Sequence, residues 1–474
     1  MPAAAMTKAP PPAELAPAGD VDVSACPECG RPWTTSESAG YCECGAAWRV
    51  CVHCNKPHST LIKYCPVKGG AIDRPPVPSV QLRVADTFPR IVTLNKPLWN
   101  APREHAGYLW VLSTRGDFFR ISPASDQIRT VENSTTEFGK CPFDVVADRS
   151  ERTLLVAVGT RRFAALDPAL HVPEKSMVVS PSLPGKRGAP VDRSGRPYRD
   201  DAFVRLDAGA PAIAHAGRRF AALRRHQRGG DSIMTWARGA DWHQDSAATE
   251  REGQGTLKEH RLPERAMGGP FVLSGRFCAY SSTRVYWIDD SSGEVEHMNL
   301  PAGFTPANPV APRHPVMVPW GRPAFVVSDA GVYLPGELNG HAAFAFLEWD
   351  VSGPQCSVAE QVNEGDSYRK STNGHLLLIG QRGLRRLERT LVTPSAAHMN
   401  VSPLAGPAVI SNGSVAACFA DSATAGAEVR VYPEGTRLAV PTGGTLLDLF
   451  VFPGYLTLTA LVGDALEVRS WRLQ

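Results

Sequence analysis

Nowhere in the 474 residues do about 18 uncharged apolar residues stand together, so the sequence offers no membrane-spanning helix. The first 20 residues, MPAAAMTKAPPPAELAPAGD, contain a single Lys and no apolar core of the kind a secretory signal needs. The chain therefore reads as soluble and cytoplasmic. It also lacks charge excess: 50 Lys and Arg stand against 47 Asp and Glu, a formal +3. That excludes binding to nucleic acid or anionic lipid by bulk electrostatics, which needs a concentrated surplus of one sign. Local catalytic signatures are missing as well. There is no G-x-S-x-G elbow, no phosphate-binding G-x-x-x-x-G-K-[ST], no H-E-x-x-H and no calcium loop. His215, His226, His243 and His260 are separated by 11, 17 and 17 residues, which matches no local ligand pattern.

What is abundant is punctuation. The chain holds 42 Gly and 41 Pro within an otherwise ordinary composition, 43% hydrophobic and 20% charged, and such frequent turn residues suit many short strands better than long helices. Seven of the 11 cysteines crowd between Cys26 and Cys65. In a reducing compartment, clustered thiols point to metal ligands rather than disulfides. Cys141, Cys278, Cys356 and Cys418 are scattered, and read as small buried hydrophobes.

The cysteine-rich stretch is an internal repeat. CPECG and YCECG in its first half correspond to CVHCN and YCPVKGG in its second; Cys51 follows Cys26 by 25 residues and Cys65 follows Cys42 by 23. A Cys-x-x-Cys turn brings two sulfurs to about the separation of two corners of a zinc tetrahedron with Zn–S near 2.3 Å. The residue after the second ligand often needs positive φ. Gly30, Gly45, Asn55 and Gly69 stand there, and Gly and Asn take that conformation at least cost. The first ligand set is Cys26, Cys29, Cys42 and Cys44, its second pair one residue tighter than usual. The second supplies Cys51, Cys54 and Cys65, but Lys68 occupies the expected fourth place, leaving His58 as the best substitute, and His53 within the turn as the weaker one, to complete a three-cysteine, one-histidine site.

Over residues 26–70 the sequence thus resembles the double zinc ribbon family, which implies two Zn2+ ions. A cross-braced RING arrangement fits less well, because six residues separate Cys44 from Cys51 and the last pair is broken at Lys68. Between residues 26 and 75 six cationic side chains face four anionic ones; two loaded centres of charge −2 and −1 would bring the module near −1. A phosphate-binding surface needs unopposed cations, so nucleic acid is an unfavoured partner. Trp33 and Trp48 read as covers for the metal sites.

Residues 1–25, Ala- and Pro-rich, form an expected disordered leader, and Pro75, Pro76 and Pro78 mark a linker over 71–79. From residue 80 to 474 an apolar strand, a polar turn and a second strand recur. The copies begin at Leu109, Leu154, Arg219, Arg276, Ala324, Leu376, Val415 and Leu456, about 50 residues apart. Radial antiparallel sheets of that size predict a seven- or eight-bladed β-propeller, making the chain mainly β. VYWIDDSSGEV, with Asp289, Asp290 and Gly293, resembles the quinoprotein-type propeller repeat, and Trp349-Asp350 is the single pair of the WD40-like kind. A long insertion, 183–201, reads as a solvated loop with an alternative as an arginine-rich contact. The functional expectation is a non-enzymatic, zinc-binding adaptor that engages protein partners. The alternatives are a propeller enzyme with a site in the central channel, a quinone-dependent oxidoreductase or a hydrolase, and a nucleic-acid-binding ribbon protein.

Overall fold

The structure, a computed structural model, describes residues 25–26, 29–31, 39–60, 65, 68, 82–98, 101–133, 143–147, 153–158, 163–166, 213–216, 219–224, 230–237, 258–289, 292–307, 325–328, 331–359, 367–370, 376–380, 383–388, 391–394, 408–411, 414–420, 427–432 and 434–474. The leader save Ala25, the linker, the 183–201 insertion, Trp33, Gly69, Cys141, His226 and His243 lie outside them, as do the side chains of His215 and Cys418. Every regular element among the described residues is a β-strand.

The N-terminal sheet is small: β1 (Ala39–Tyr41), β2 (Ala47–Val50) and β3 (Pro57–Ser59), antiparallel in that order. After it comes β4 (Arg90–Leu94), and then seven successive sheets over 103–133, 143–166, 213–261, 268–299, 304–359, 367–394 and 408–439. An eighth is built from 445–472 together with β4, which adds to the last strand with Val92 opposite Val468 and Leu94 opposite Leu466. We number these sheets as blades 1 to 8. Strands from both ends of the repeat array thus share one blade, the arrangement by which a propeller ring is closed. Further bonds tie the two ends together: Ala85 N–H donates to the Arg472 carbonyl at 2.8 Å, Gln474 N–H to Arg83 at 2.8 Å, and the Trp471 indole to Thr87 at 3.2 Å.

Among the described residues the propeller shows eight blades, and its described core lies between them. Phe271 and Trp287 of blade 4 pack with Phe325, Leu334 and Leu347 of blade 5. Leu223 and Ile233 of blade 3 meet Phe277 and Tyr286 of blade 4. Leu109 and Ile121 of blade 1 meet Phe450 and Val468 of blade 8. Inner strands of neighbouring blades touch as well, as in blades 1 to 4 and in blades 7 and 8. A blade covered on both faces needs apolar side chains at successive positions, and Tyr108–Leu112 is buried throughout.

Each recurring hairpin of the sequence falls in a different blade. In seven it forms the second and third strands; the copy from Ala324 is displaced, pairing Val326–Val327 with Val332–Leu338. The central hairpin of blade 5 is instead Val332–Leu338 with His341–Asp350, turning at Asn339 and Gly340, whose φ values are 53° and 83°. The Asp-rich segment of blade 4 serves its turn: Ser292 N–H donates to the Asp289 carboxylate at 2.8 Å, and Gly293 takes φ 72°. Asp350 acts likewise at the next tight turn, accepting from Ser352 N–H at 2.7 Å. Cys278 is buried within the blade 4 and 5 core, and burial pushes its thiol up to about 12. Cys356 packs at the edge of the same cluster and is only half-buried, so its reading as a buried hydrophobe is corrected in degree.

Candidate metal centres

Three turns of similar construction, the middle one a residue tighter, present the cysteines. The Cys26 carbonyl accepts from Gly30 N–H, that of Cys42 from Gly45 N–H and that of Cys51 from Asn55 N–H, each at 2.8 Å. Gly30, Gly45 and Asn55 close these turns at φ 71°, 84° and 55°, the positive values their residue types suit. Folded back in this way, the backbone aims its sulfurs inward.

In the first group the Sγ atoms of Cys26 and Cys44 lie 3.6 Å apart and those of Cys29 and Cys42 3.5 Å apart; all four fall within 4.8 Å of one another. Four thiolates bound at about 2.3 Å to one tetrahedral ion would stand at about this spacing. Cys26 is buried with Ala46 and Trp48, while Cys42, Cys44 and Val50 pack against that cluster, so Trp48 covers the site as the sequence suggests. An exposed ion pair between Arg31 and Glu43 links the two turns.

The second group is Cys51, Cys54, His58 and Cys65, again with donor atoms within 4.8 Å. β3 carries His58 opposite Arg49 of β2, and the imidazole is only 3% exposed. Its Nε2 lies 3.1 Å from Cys54 Sγ and 3.8 Å from Cys65 Sγ. Between the two candidates for the fourth place the geometry selects His58. His53 contributes its backbone N–H to Cys51 Sγ at 3.4 Å, and Lys68 does the same for Cys65 Sγ at 3.3 Å. Such N–H donors stabilise thiolate charge. Burial, aided by the charges of Arg49 and Lys56, holds His58 below its ordinary value and so favours the neutral, ligating form. The donor sets therefore fit metal ions: soft thiolates in fours or threes, with one buried imidazole. His58→Cys should retain the second ion, whereas His58→Ala should lose it and leave the first in place; metal content per chain checks this.

The small sheet is seated on the propeller. Where the sequence suggests a module tethered through a linker, Tyr41 Oη donates to the Gly107 carbonyl, Thr60 Oγ1 to that of Ala106, and Ala47 N–H to Tyr108 Oη, each at 2.7 Å. Tyr41 also meets Tyr455 of blade 8 edge-on at 5.7 Å. Small residues permit this approach. A Cβ on Gly45 would come within 2.3 Å of Ser125 Cβ, and one on Gly107 within 3.0 Å of Ala47 Cβ. Nothing local in the sequence signals these contacts, because they join residues more than 40 positions apart.

Among the described residues these two groups are the only sets of three or more metal-ligating side chains close enough to share an ion. His260, the one dispersed histidine of its region with a described side chain, is taken up within the fold. Its Nδ1 bonds the Gly293 carbonyl at 2.9 Å and its Nε2 the Thr235 hydroxyl at 2.9 Å, bridging blades 3 and 4. No helix among the described residues is long and apolar enough to cross a membrane.

No family model and no curated protein matches the chain. Solved structures do. BamB from Moraxella catarrhalis is 13% identical, with a TM-score of 0.45, over 81% of this chain and 97% of that one. Oligogalacturonate lyase in complex with manganese is 9% identical, with a TM-score of 0.39, over 83% and 92%. The β-propeller domain of the Trilobed protease from Pyrococcus furiosus is 9% identical, with a TM-score of 0.36, over 79% and 93%. Similarities this distant carry nothing about activity or partners. The assignment as an eight-bladed β-propeller with an N-terminal sheet bearing two metal-type donor groups rests on the sheet order and the side chains themselves.

Proposed function

We propose that this chain is a cytoplasmic, non-enzymatic adaptor: a double zinc ribbon, stapled by two Zn2+ ions, seated on a propeller that offers rigid surfaces to protein partners. The observation that carries the reading is the pair of four-donor groups on one small sheet. A set of four cysteines, or of three cysteines and a histidine, with no open position is the kind zinc uses structurally, and such a site supplies folding energy rather than chemistry. On the propeller, Asp289 and Asp350 close turns and His260 bridges two blades, so these chemically capable side chains are used to build the fold. Val52 stands 73% exposed between the first two ligands of the second centre, where a partner bound over that turn would meet it.

The test is purification of the tagged full chain from its native host beside Val52→Asp and Cys51→Ser. A protein partner present in stoichiometric amount with the wild type, weakened by at least tenfold in Val52→Asp at unchanged metal content and lost in Cys51→Ser, is the expected result. A wild-type chain that carries both metals and emerges alone would contradict the adaptor reading.

A further inference from the structure

The register of blade 1 sets three arginines and a tryptophan in one row. Arg103 stands opposite Trp110, Trp110 opposite Arg120, and Arg120 opposite Arg129. Directly opposed residues in an antiparallel ladder share a face, and like charges so placed repel. Arg120 is only 5% exposed, so solvent screens its charge poorly. Its guanidinium lies 4.5 Å from the ring centre of Tyr108, which belongs to the same face two residues before Trp110.

This is the face on which the small sheet sits. Tyr108 Oη accepts the Ala47 N–H, and Cys44 and Gly45 line one narrow cleft together with Tyr108, Arg120 and Arg129. No donor of the second group lines that cleft. Four thiolates around one divalent ion carry a net charge of −2, whereas four neutral thiols carry none. Loading the first centre therefore changes its own charge from zero to two negative units, beside Arg120, whose charge water screens little.

We propose that Arg120 and Arg129 form an electrostatic seat for the four-cysteine metal centre, so that metal loading there and docking of the ribbon on blade 1 are one coupled equilibrium. The inference rests on the zinc reading above. By linkage, whatever factor the metal adds to docking, docking adds to metal affinity. Loss of that ion releases the ribbon and uncovers an arginine and aromatic face of blade 1, and the second ion, with its weaker charge and separate position, has no such effect.

Cobalt(II) is the probe, because a four-thiolate site and a three-thiolate, one-imidazole site differ in their charge-transfer absorption. The full chain is titrated with a competing chelator as wild type, as Arg120→Gln/Arg129→Gln, as Arg120→Lys/Arg129→Lys, and as a surface control, Arg261→Gln/Arg437→Gln. Amide exchange of Tyr108–Leu112 is followed in parallel. The glutamine pair should weaken the four-thiolate site by roughly tenfold or more and leave the other site unchanged. The lysine pair should recover most of that loss, and the control should show none. Chelation of the wild type should speed exchange in Tyr108–Leu112, and the glutamine pair should show part of that acceleration while loaded. Equal first-site affinity in all variants overturns the proposal, as does a loss that lysine fails to recover, since that would indicate packing rather than charge. A wild type that takes up no cobalt overturns the metal reading beneath it, an outcome distinct from either.

Discussion

Stripping both metal ions should abolish protection of the amides in residues 39–59 while most of the propeller stays folded. The three strands of the small sheet have 3, 4 and 3 residues. Beyond the ligands themselves, its described buried residues include little apolar bulk: Ala46, Ala47, Trp48 and Pro57. Strands so short, with so small a core, do not stand alone in water. A structural zinc site contributes on the order of 10 kcal/mol or more of apparent folding free energy at neutral pH, which dominates anything else available to this sheet. The propeller has no such dependence, because its clusters are apolar and lie between blades. Hydrogen exchange with and without a strong chelator therefore separates the two: near-complete exchange over 39–59, and retained protection at Leu446, Leu458 and Val468. Loss of protection throughout the chain would contradict this division.

Acid should act in the same direction as the chelator. The folded state holds His58 below its ordinary value of 6.5 through burial and the charges of Arg49 and Lys56, so it resists protonation relative to the unfolded chain. The stability from this group is full above 6.5 and is lost progressively as pH falls from there through the lower, folded value. Thiolate protonation adds to the loss. The second centre should thus release its ion before the propeller melts, and a pH titration of metal release followed at both centres measures this.

Trp471→Ala is expected to destabilise the propeller by about 3–5 kcal/mol, the range for deleting a large buried aromatic. Trp471 is fully buried on the last strand, among Leu82, Val409, Val429, Leu456 and Leu458, and its indole N–H donates to the Thr87 carbonyl. It therefore stands where blade 7 meets blade 8 and where the N-terminal segment of the propeller returns to the C-terminal strand. Trp471→Phe keeps most of the volume and removes only the bond to the carbonyl of the exposed Thr87, a cost of about 0.5–1.5 kcal/mol. The midpoint of urea unfolding should fall in the order wild type, Phe, Ala. An alanine variant within about 1 kcal/mol of wild type would mean that this closure contributes little to the ring.

The part of this fold that could be read from sequence is the part carried by local pattern. A range of seven or eight blades follows from a hairpin that repeats about every 50 residues, since each blade needs its own apolar strand, tight turn and second strand. Gly30, Gly45 and Asn55 could be placed at positive φ because the chemistry of a metal-binding turn calls for residues with little steric penalty there. His58 is the better candidate from sequence and His53 the weaker: spacing allows both, and the pairing of β3 with β2, which sets His58 opposite Arg49, brings that ring to the sulfurs. β4 went unseen for a different reason. RIVTL is a lone five-residue strand with no hairpin partner beside it, and the strand that completes its ladder lies at the other end of the chain. The docking of the ribbon on blade 1 was invisible for the same cause, since Tyr108 and Arg120 have no pattern that marks them as neighbours of Ala47 and Cys44. Register misled the reading once, at Ala324, where two short apolar runs imitate the repeat one strand early.

The most direct measurement is the metal content of the purified wild-type chain beside Cys26→Ser and Cys65→Ser, one variant for each group of donors. Two zinc ions per wild-type chain, falling to about one in each variant, is the expected result, with the survivor in Cys26→Ser carrying the signature of a histidine-containing site. A wild-type chain that binds no metal under reducing conditions would contradict the zinc ribbon, and with it the adaptor built upon it.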